Sequence, residues 1–217
     1  TYPSLTVDDD LSMDERLDAL RAELRALERV VVAFSGGADS AQLAKVATDT
    51  LGRDQVLVVT AVSASLAASE LADCAALARE WDLRWAEVVT SELTNEDYQR
   101  NDGDRCFHCK DEFMEALAPL AAQERATVVL GVNLDDLDDH RPGQRAARQH
   151  GAAFPFVDAG LSKRDIREAS RRLGLRTWDK PAAACLASRV PYGSPVTLSV
   201  LSSVERAEAA LRDLGFV

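Results

Sequence analysis

The sequence lacks several features that would each indicate a particular class of protein. No apolar run approaches the length that crosses a bilayer, and no secretory signal is visible. Positive charge is in deficit, because 25 Lys and Arg residues face 36 Asp and Glu residues and the formal net charge is −11. Binding to nucleic-acid phosphates requires a basic face, so this balance argues against a nucleic-acid partner. The chain also has no internal repeat and no low-complexity tract.

Cysteine is scarce, with 4 residues among 217. Without a secretory signal they are expected to be thiols or ligands in a reducing compartment, which favours a cytoplasmic protein. Cys74 falls at core spacing in a predicted helix and is expected to be a small, buried, apolar residue. The other three cysteines belong to two motifs described below.

Apolar β-branched runs alternate with helical patterns along the chain. The predicted strands are residues 30–34, 55–62, 84–89 and 127–131, with a short fifth strand at Phe154–Val157. This alternation predicts an α/β fold with an open, mostly parallel, twisted sheet flanked by helices. Ligands of such sheets bind beyond the carboxyl ends of the strands, so the loops after strands one, two and four are expected to share one pocket.

The helical segments carry recognisable beginnings and one breaker. Ser12 and Glu15 form a capping box that opens the first helix, and Ser162 is expected to cap a basic helix. Residues 92–105 are polar and are predicted to be irregular. The helix predicted from Lys110 is expected to be kinked or shortened by Pro119.

Ser35-Gly-Gly-Ala-Asp-Ser40 stands between a predicted strand and a predicted helix. Gly36 and Gly37 allow a sharp turn and let a ligand approach the backbone N–H groups closely. The first amides of the following helix are unpaired and its dipole end is positive, so this loop suits an anion. It is not a Walker loop, because Gly-x4-Gly-Lys-Ser/Thr is absent. A plain Gly-Gly turn capped by Asp39 or Ser40 is the alternative.

Cys106-x-x-Cys109 is the second motif. Two thiolates at this spacing can bind one metal centre or form a redox pair. A structural zinc normally takes four ligands, and His108 and Cys185 are candidates to complete such a site. Three cysteines on one iron–sulfur cubane would instead leave one iron open. A pair of unligated surface cysteines is the plain alternative.

Cys185 lies among small residues with Lys180 and Arg189 nearby. This setting could depress the pKa of its thiol and make it a nucleophile, and a buried structural thiol is the alternative. Candidate clamps for a phosphate or carboxylate are Arg105, Lys110 and Arg189. Four aspartates are candidates to bind Mg²⁺, and the alternative is that they lie on a solvated loop. The loop is favoured for most of the four, which are Asp135, Asp136, Asp138 and Asp139.

The glycine loop resembles the pyrophosphate-binding loop (PP-loop) of the N-type ATP pyrophosphatases. These enzymes split ATP between the α and β phosphates and leave AMP on an oxygen of the substrate. With four further motifs, the chain from about Val30 onward resembles the LarE family. The motifs are Asp104-Arg-Cys-Phe-His-Cys-Lys110, Gly131-Val-Asn-Leu-Asp-Asp136, His140-Arg-Pro-Gly143 and Trp178-Asp-Lys-Pro-Ala-Ala-Ala-Cys-Leu-Ala-Ser-Arg-Val-Pro-Tyr-Gly193.

LarE enzymes are ATP-dependent sulfur transferases in the biosynthesis of the nickel-pincer nucleotide cofactor of lactate racemase. They adenylate the carboxylates of pyridinium-3,5-biscarboxylic acid mononucleotide and convert them to thiocarboxylates. The resemblance implies an adenine nucleotide alpha hydrolase-like PP-loop fold, ATP and Mg²⁺, this small-molecule nucleotide as substrate, and a homo-oligomer that binds neither nucleic acid nor membrane. It implies that Ser35, Gly36, Gly37 and Ser40 cradle the β and γ phosphates and that Asp39 helps hold Mg²⁺. Further expected nucleotide-binding residues are Gly131, Arg105, Lys110 and Arg189.

The family uses two sulfur sources. Some members sacrifice the cysteine that matches Cys185, which leaves dehydroalanine. Others hold a [4Fe-4S] cluster, whose open iron binds a transferable sulfide, on cysteines that match Cys106, Cys109 and Cys185. Because all three are present, the cluster is expected. A PP-loop tRNA thiolase or amidating enzyme, and a non-catalytic nucleotide- or zinc-binding module, are the rival functions.

The resemblance also predicts how the chain is divided. Residues 1–11 are expected to be a disordered acidic leader, and residues 12–176 a PP-loop ATP pyrophosphatase domain. Residues 177–217 are expected to form a sulfur-transfer loop and the start of a C-terminal region. The family normally continues past this point, so that region is expected to be truncated.

Overall fold

The structure, a computed structural model, describes residues 11–137, 142–182 and 184–216. The predicted acidic leader, except for Leu11, and the aspartates Asp138 and Asp139 therefore lie outside the described residues. A parallel sheet of four strands, in the order β3-β2-β1-β4, forms the centre of the fold. The strands are β1 (Val30–Ala33), β2 (Val56–Val62), β3 (Trp85–Val89) and β4 (Thr127–Val129). The predicted α/β class with a parallel sheet is confirmed.

Helices lie along the chain before, between and after these strands. The α-helices of the described residues are α1 (Met13–Leu27), α2 (Ala38–Leu51), α3 (Ala68–Glu80), α4 (Glu96–Arg100), α5 (Arg105–Glu124), α6 (Pro142–Gln149), α7 (Pro155–Asp158), α8 (Lys163–Arg172) and α9 (Leu198–Asp213). The predicted capping boxes of α1 and α8, at Ser12 and Ser162, are both present. None of these helices is long and apolar enough to cross a bilayer.

The central strands β1 and β2 are apolar without alternation because the sheet there is buried on both faces. Val30 and Val32 belong to a core cluster that includes residues of α1, α2, α3 and α8. Val31, between them, belongs to a second cluster that contains Phe113 and Leu117 of α5. Successive side chains of a strand point to opposite faces, so each face needs its own apolar cover.

The predicted fifth strand at Phe154–Val157 is wrong. One isolated parallel bridge joins Val129 to Ala153, and Pro155 then opens the short helix α7. Proline has no N–H to donate to a sheet ladder, whereas its fixed φ suits the first position of a helix.

Two predictions around α5 are wrong in part. Residues 92–105 are not wholly irregular, because Asn95 caps the helix α4 with its side chain. Helix α5 begins at Arg105 and continues five residues beyond Pro119, so proline does not shorten it. Leu117 on α5 is fully buried against the sheet, and such packing offsets the cost of about 3 kcal/mol for proline in a helix.

Candidate functional site

The glycine loop joins β1 to α2 at the carboxyl end of the sheet. Gly36 has φ +68°, and a Cβ there would lie 3.0 Å from Cys74 Sγ, so both conformation and space require glycine. Gly37 has φ −73° and is the N-cap of α2, which receives no side-chain capping bond. Ser40 closes the loop, since its Oγ accepts from Ser35 N at 3.2 Å and donates to Gly37 O at 3.3 Å.

The loop presents a row of backbone donors. The N–H groups of Gly36, Gly37, Ala38 and Asp39 have no hydrogen-bond partner within the part of the chain that the structure describes. They stand at the N-terminus of a helix, where the dipole end is positive. The arrangement is therefore suited to an anion such as a phosphate group.

Asp39 stands beside these donors with one carboxylate oxygen paired and the other unpaired. Lys163 Nζ donates to Oδ2 at 2.5 Å. Oδ1 is buried and has no hydrogen-bond partner among the described residues. Burial raises the pKa of Asp39, and the nearby charge of Asp136 adds to the rise while Lys163 opposes it. A buried carboxylate oxygen without a partner fits a cation such as Mg²⁺.

Neighbouring residues after β4 support this loop. A Cβ at Gly131 would lie 3.1 Å from the backbone of Asp39 and Ser40, so its lack of a side chain allows β4 to approach the start of α2. Asp135 accepts from the backbone N–H of Lys163, the first residue of α8, while Asp136 accepts from Asn133 N. Both described aspartates thus accept backbone hydrogen bonds near the end of β4, and the choice between a solvated loop and Mg²⁺ binding stays a prediction.

The structure brings the two cysteine motifs together. Cys106 and Cys109 are the second and fifth residues of α5, and Cys185 is the N-cap of a short 3-10 helix, Leu186–Arg189. Cys109 packs against an apolar cluster that contains Leu186 and Ala187. Burial raises the pKa of Cys109 and of Cys185, and the other cysteines of the set lie near enough to add to each rise.

The pKa values of these thiols are raised. Burial raises the pKa of Cys109 to about 12, and the adjacent carboxylate of Glu92 contributes. Cys185 is an exposed residue, but partial burial of its thiol raises the pKa of that thiol more than the positive charge of Arg105 lowers it. The predicted depression of the Cys185 pKa is therefore wrong.

The two cations that were expected to depress the Cys185 pKa are bound elsewhere. Lys180 pairs with Glu70 and Asp73, and Arg189 Nε donates to Glu208 at 2.7 Å. Neither ammonium nor guanidinium group is thus available to stabilise the Cys185 thiolate.

The three cysteines do not form a preassembled metal site. Within residues 11–137, 142–182 and 184–216, no three His, Cys, Asp or Glu side chains stand close enough together to hold a metal ion. Three thiols are suitable ligands for an iron–sulfur cluster, but the distances between these three are too long to hold one in this conformation. The three-cysteine ligand set stays a prediction.

The three predicted anion clamps lie in different settings. Arg105 is buried, and its Nη1 donates to Asn101 Oδ1 and to Ala187 O, which ties α5 to the Cys185 segment. Lys110 lies 5.0 Å over the Phe113 ring, and desolvation lowers its pKa. Arg189, paired as described, does not join them.

Sequence reasoning missed Lys163 and Glu92. Lys163 is the first residue of α8 and lies 124 positions from Asp39, so no local pattern connects the two. Glu92 is buried next to Cys109 and accepts a hydrogen bond from Thr90 Oγ1 at 3.0 Å. A glutamate in a polar stretch carries no sequence signal of burial.

Comparisons with known proteins agree with this geometry. Residues 13–129 match the NAD synthase family. The fold is similar to the solved structure of NMN synthetase from Francisella tularensis, with a TM-score of 0.64, 19% identity, and coverage of 94% of this chain and 97% of that chain.

Two curated proteins are more similar to this chain in sequence than that NMN synthetase is. The chain is 44% identical over 205 residues to an uncharacterised protein of Synechocystis sp., covering 94% of this chain and 76% of that protein. It is 36% identical over 198 residues to the pyridinium-3,5-bisthiocarboxylic acid mononucleotide synthase of Lactiplantibacillus plantarum, covering 91% of this chain and 72% of the synthase.

The parallel sheet and the glycine loop at its carboxyl end, with the family match, define a PP-loop protein of the NAD synthase type. This is the class that the loop sequence indicated. Within the class, the chain belongs to the LarE family.

Proposed function

We propose that this protein is an ATP-dependent sulfur transferase that converts the carboxylates of pyridinium-3,5-biscarboxylic acid mononucleotide to thiocarboxylates. The observation that carries the proposal is the row of unpaired amides from Gly36 to Asp39 beside the unpaired buried oxygen of Asp39. The name of the synthase at 36% identity supplies the substrate. A homo-oligomer remains part of the proposal.

The first proposed step is adenylation. A carboxylate oxygen of the substrate attacks the α phosphorus of ATP, the bond to the oxygen that bridges to the β phosphorus breaks, and pyrophosphate leaves. The amides of Gly37 and Ala38 and the exposed hydroxyl of Ser35 would hold the β and γ phosphates. Asp39 would hold Mg²⁺, which neutralises charge on the leaving pyrophosphate. Lys163 would balance the charge of Asp39.

The second proposed step is sulfur transfer. A sulfur nucleophile attacks the acyl carbon, the bond from that carbon to the AMP oxygen breaks, and AMP leaves. We propose that Cys106, Cys109 and Cys185 hold a [4Fe-4S] cluster, which when bound would supply a transferable sulfide. The meeting of the two cysteine segments supports this proposal. Thiols with a raised pKa must lose protons to become ligands, so iron binding would release protons.

The proposal also gives a role to the other residues that the sequence predicted to bind the nucleotide. Arg105 and Lys110 would attract the anionic substrate near the cysteines, and Gly131 would keep the nucleotide loop in place. Arg189 would join them only after release from Glu208.

Pyrophosphate release tests the proposed function. We expect the wild-type protein to release pyrophosphate when given MgATP and the biscarboxylate nucleotide, and Asp39→Asn to lower the rate by about 100-fold or more. Asp49→Asn on the same helix is the matched control, since Asp49 is exposed and pairs, among the described residues, with Lys45. Failure of the wild type to release pyrophosphate, or equal rates in both variants, would refute the assignment.

A further inference from the structure

Lys180 forms a hydrogen bond with the backbone of the glycine loop. Its Nζ donates to Gly36 O at 3.2 Å, across 144 positions of sequence. The same ammonium donates to Glu70 Oε2 at 3.0 Å and to Asp73 Oδ2 at 2.7 Å, both on α3. The side chain of Lys180 is 18% exposed, so these three acceptors hold a largely covered cation.

The hydrogen bond fixes the direction of a peptide group. The Gly36–Gly37 peptide is trans, so its C=O and N–H point in opposite directions. With Gly36 O held toward Lys180, the N–H of Gly37 points away from it, and that N–H has no partner in the described chain. Since glycine flanks this peptide on both sides, side-chain sterics do little to prevent it from turning over. A reversed peptide would present a carbonyl oxygen in place of the N–H and would repel a phosphate.

Lys180 is itself held from two sides. Arg167 Nη2 donates to the carbonyl of Lys180 at 3.1 Å. Asp73, which anchors the ammonium, is also bound by Arg176 Nη2 at 2.7 Å. Among the described residues, Arg176 pairs with Glu80 and Asp73 and makes no hydrogen bond to the loop, so the two cations share Asp73 as an acceptor but only Lys180 reaches Gly36.

We propose that Lys180 is a positioning residue that holds the Gly36–Gly37 peptide so that the Gly37 N–H is presented to the β and γ phosphates of ATP. The inference rests on the proposed function, because it assigns the ligand of this loop. It also adds a connection between the two halves of the site. Lys180 lies five residues before Cys185, so one side chain joins the nucleotide loop to the segment that carries the sulfur-handling cysteine.

Binding measurements on the full chain test this role. We expect Lys180→Met to weaken binding of MgATP and of inorganic pyrophosphate by about tenfold or more, the usual effect of losing one hydrogen bond to a charged group. AMP, which lacks the β and γ phosphates, should bind with unchanged affinity. Lys180→Arg, which can still donate to Gly36 O, should recover most of the loss. Dissociation constants from titration calorimetry supply the comparison.

Arg176→Met is the matched control, since it removes a cation from Asp73 without touching the loop. We expect it to bind MgATP like the wild type, and thermal unfolding should show that both variants fold. If Lys180→Met does not fold, Lys180→Gln, which keeps a weaker donor, takes its place. Equal MgATP affinities for the lysine variant and the control overturn the inference, as does a parallel loss of AMP affinity. A wild-type protein that binds no ATP refutes the proposed function itself, and this outcome is distinct from the other two.

Discussion

The two loop glycines meet different constraints although they are neighbours. Gly36 has a positive φ and Cys74 Sγ lies where its Cβ would be, whereas the nearest atom to a Cβ on Gly37 is Ser35 Oγ at 3.5 Å. The first glycine is thus needed by the free protein. The fold of the free protein does not require glycine at position 37, so a need for glycine there would come from a bound ligand.

Alanine substitutions separate these two constraints. We expect Gly36→Ala to lower the free energy of unfolding by about 1–3 kcal/mol. Gly37→Ala should cost less than about 1 kcal/mol, as a change of N-cap residue, yet should abolish pyrophosphate release. Urea unfolding and a pyrophosphate assay measure both quantities. A Gly37→Ala protein with wild-type release would contradict phosphate binding by this loop.

The Cys74 thiol makes stability depend on pH. Burial raises the pKa of Cys74 from 9.0 to about 11. Above about pH 9 the unfolded chain releases this proton while the folded protein keeps it, so stability falls as pH rises toward 11. Between pH 8 and 10.5 we expect the wild type to lose about 1–2 kcal/mol more than Cys74→Ala. Parallel urea titrations of the two proteins at both pH values test this, and an identical pH dependence would show that the thiol does not contribute.

At the scale of elements, the end of α4 holds the Cys185 segment in place. Asn101 is buried, and its Nδ2 lies within hydrogen-bonding distance of Val190 O, Pro191 O and Ser194 O. Its Oδ1 accepts from Arg105, the first residue of α5. A single amide side chain therefore links α4, α5 and residues 190–194, which follow the cysteine.

Removal of this amide should loosen the segment. We expect Asn101→Ala to lower the free energy of unfolding by about 2–4 kcal/mol, because buried carbonyl groups lose their donor. Trypsin should then cleave after Arg189 faster than in the wild type. Asn95→Ala is the control, since it removes only the N-cap of α4 and costs about 1 kcal/mol. Equal cleavage rates in the two variants would mean that Asn101 does not hold the segment.

At the scale of the whole molecule, the site combines parts from distant stretches of the chain. Residues 35–40 supply the unpaired amides proposed to bind phosphate, α8 supplies Lys163, and the segment after α8 supplies Lys180 and Cys185. A ligand that contacts such parts stabilises the global fold, because it binds only when they are assembled. With MgATP at about 100 times its Kd, we expect the stability gain to be about 2.7 kcal/mol and Tm to rise by about 5–10 °C. No shift with MgATP, alongside a rise with an unrelated anion such as sulfate, would contradict nucleotide binding.

The sulfur source is also tested on the intact protein. By the cluster route, protein purified without oxygen should contain iron and sulfide, Cys185 should survive repeated turnover with added sulfide, and Cys106→Ala should stop the cycles. By the sacrificial route, the mass falls by one H₂S at Cys185 after one turnover and Cys106→Ala stays active. Intact-protein mass spectrometry after anaerobic turnover distinguishes them. We expect the cluster route, and a stoichiometric mass loss at Cys185 would refute it.

The sequence by itself determined the features that depend on neighbouring residues. The apolar strand at Val30–Ala33, the Gly-Gly turn and the start of α2 are encoded within about twenty residues, because periodicity, backbone freedom and capping are local properties. The same holds for the caps at Ser12 and Ser162. The length of α5 is not determined by neighbouring residues alone, because burial of Leu117 against the sheet outweighs the cost of Pro119 within the helix.

Only the tertiary structure decided which charges face one another. Lys163 reaches Asp39 across 124 positions and Lys180 reaches Gly36 across 144, and no sequence pattern encodes either pair. The proximity of Lys180 to Cys185 in sequence predicted a depressed thiol pKa, but the folded chain directs the lysine to Glu70 and Asp73. Electrostatic interactions depend on distance and burial in space, which the order of residues along the chain does not supply.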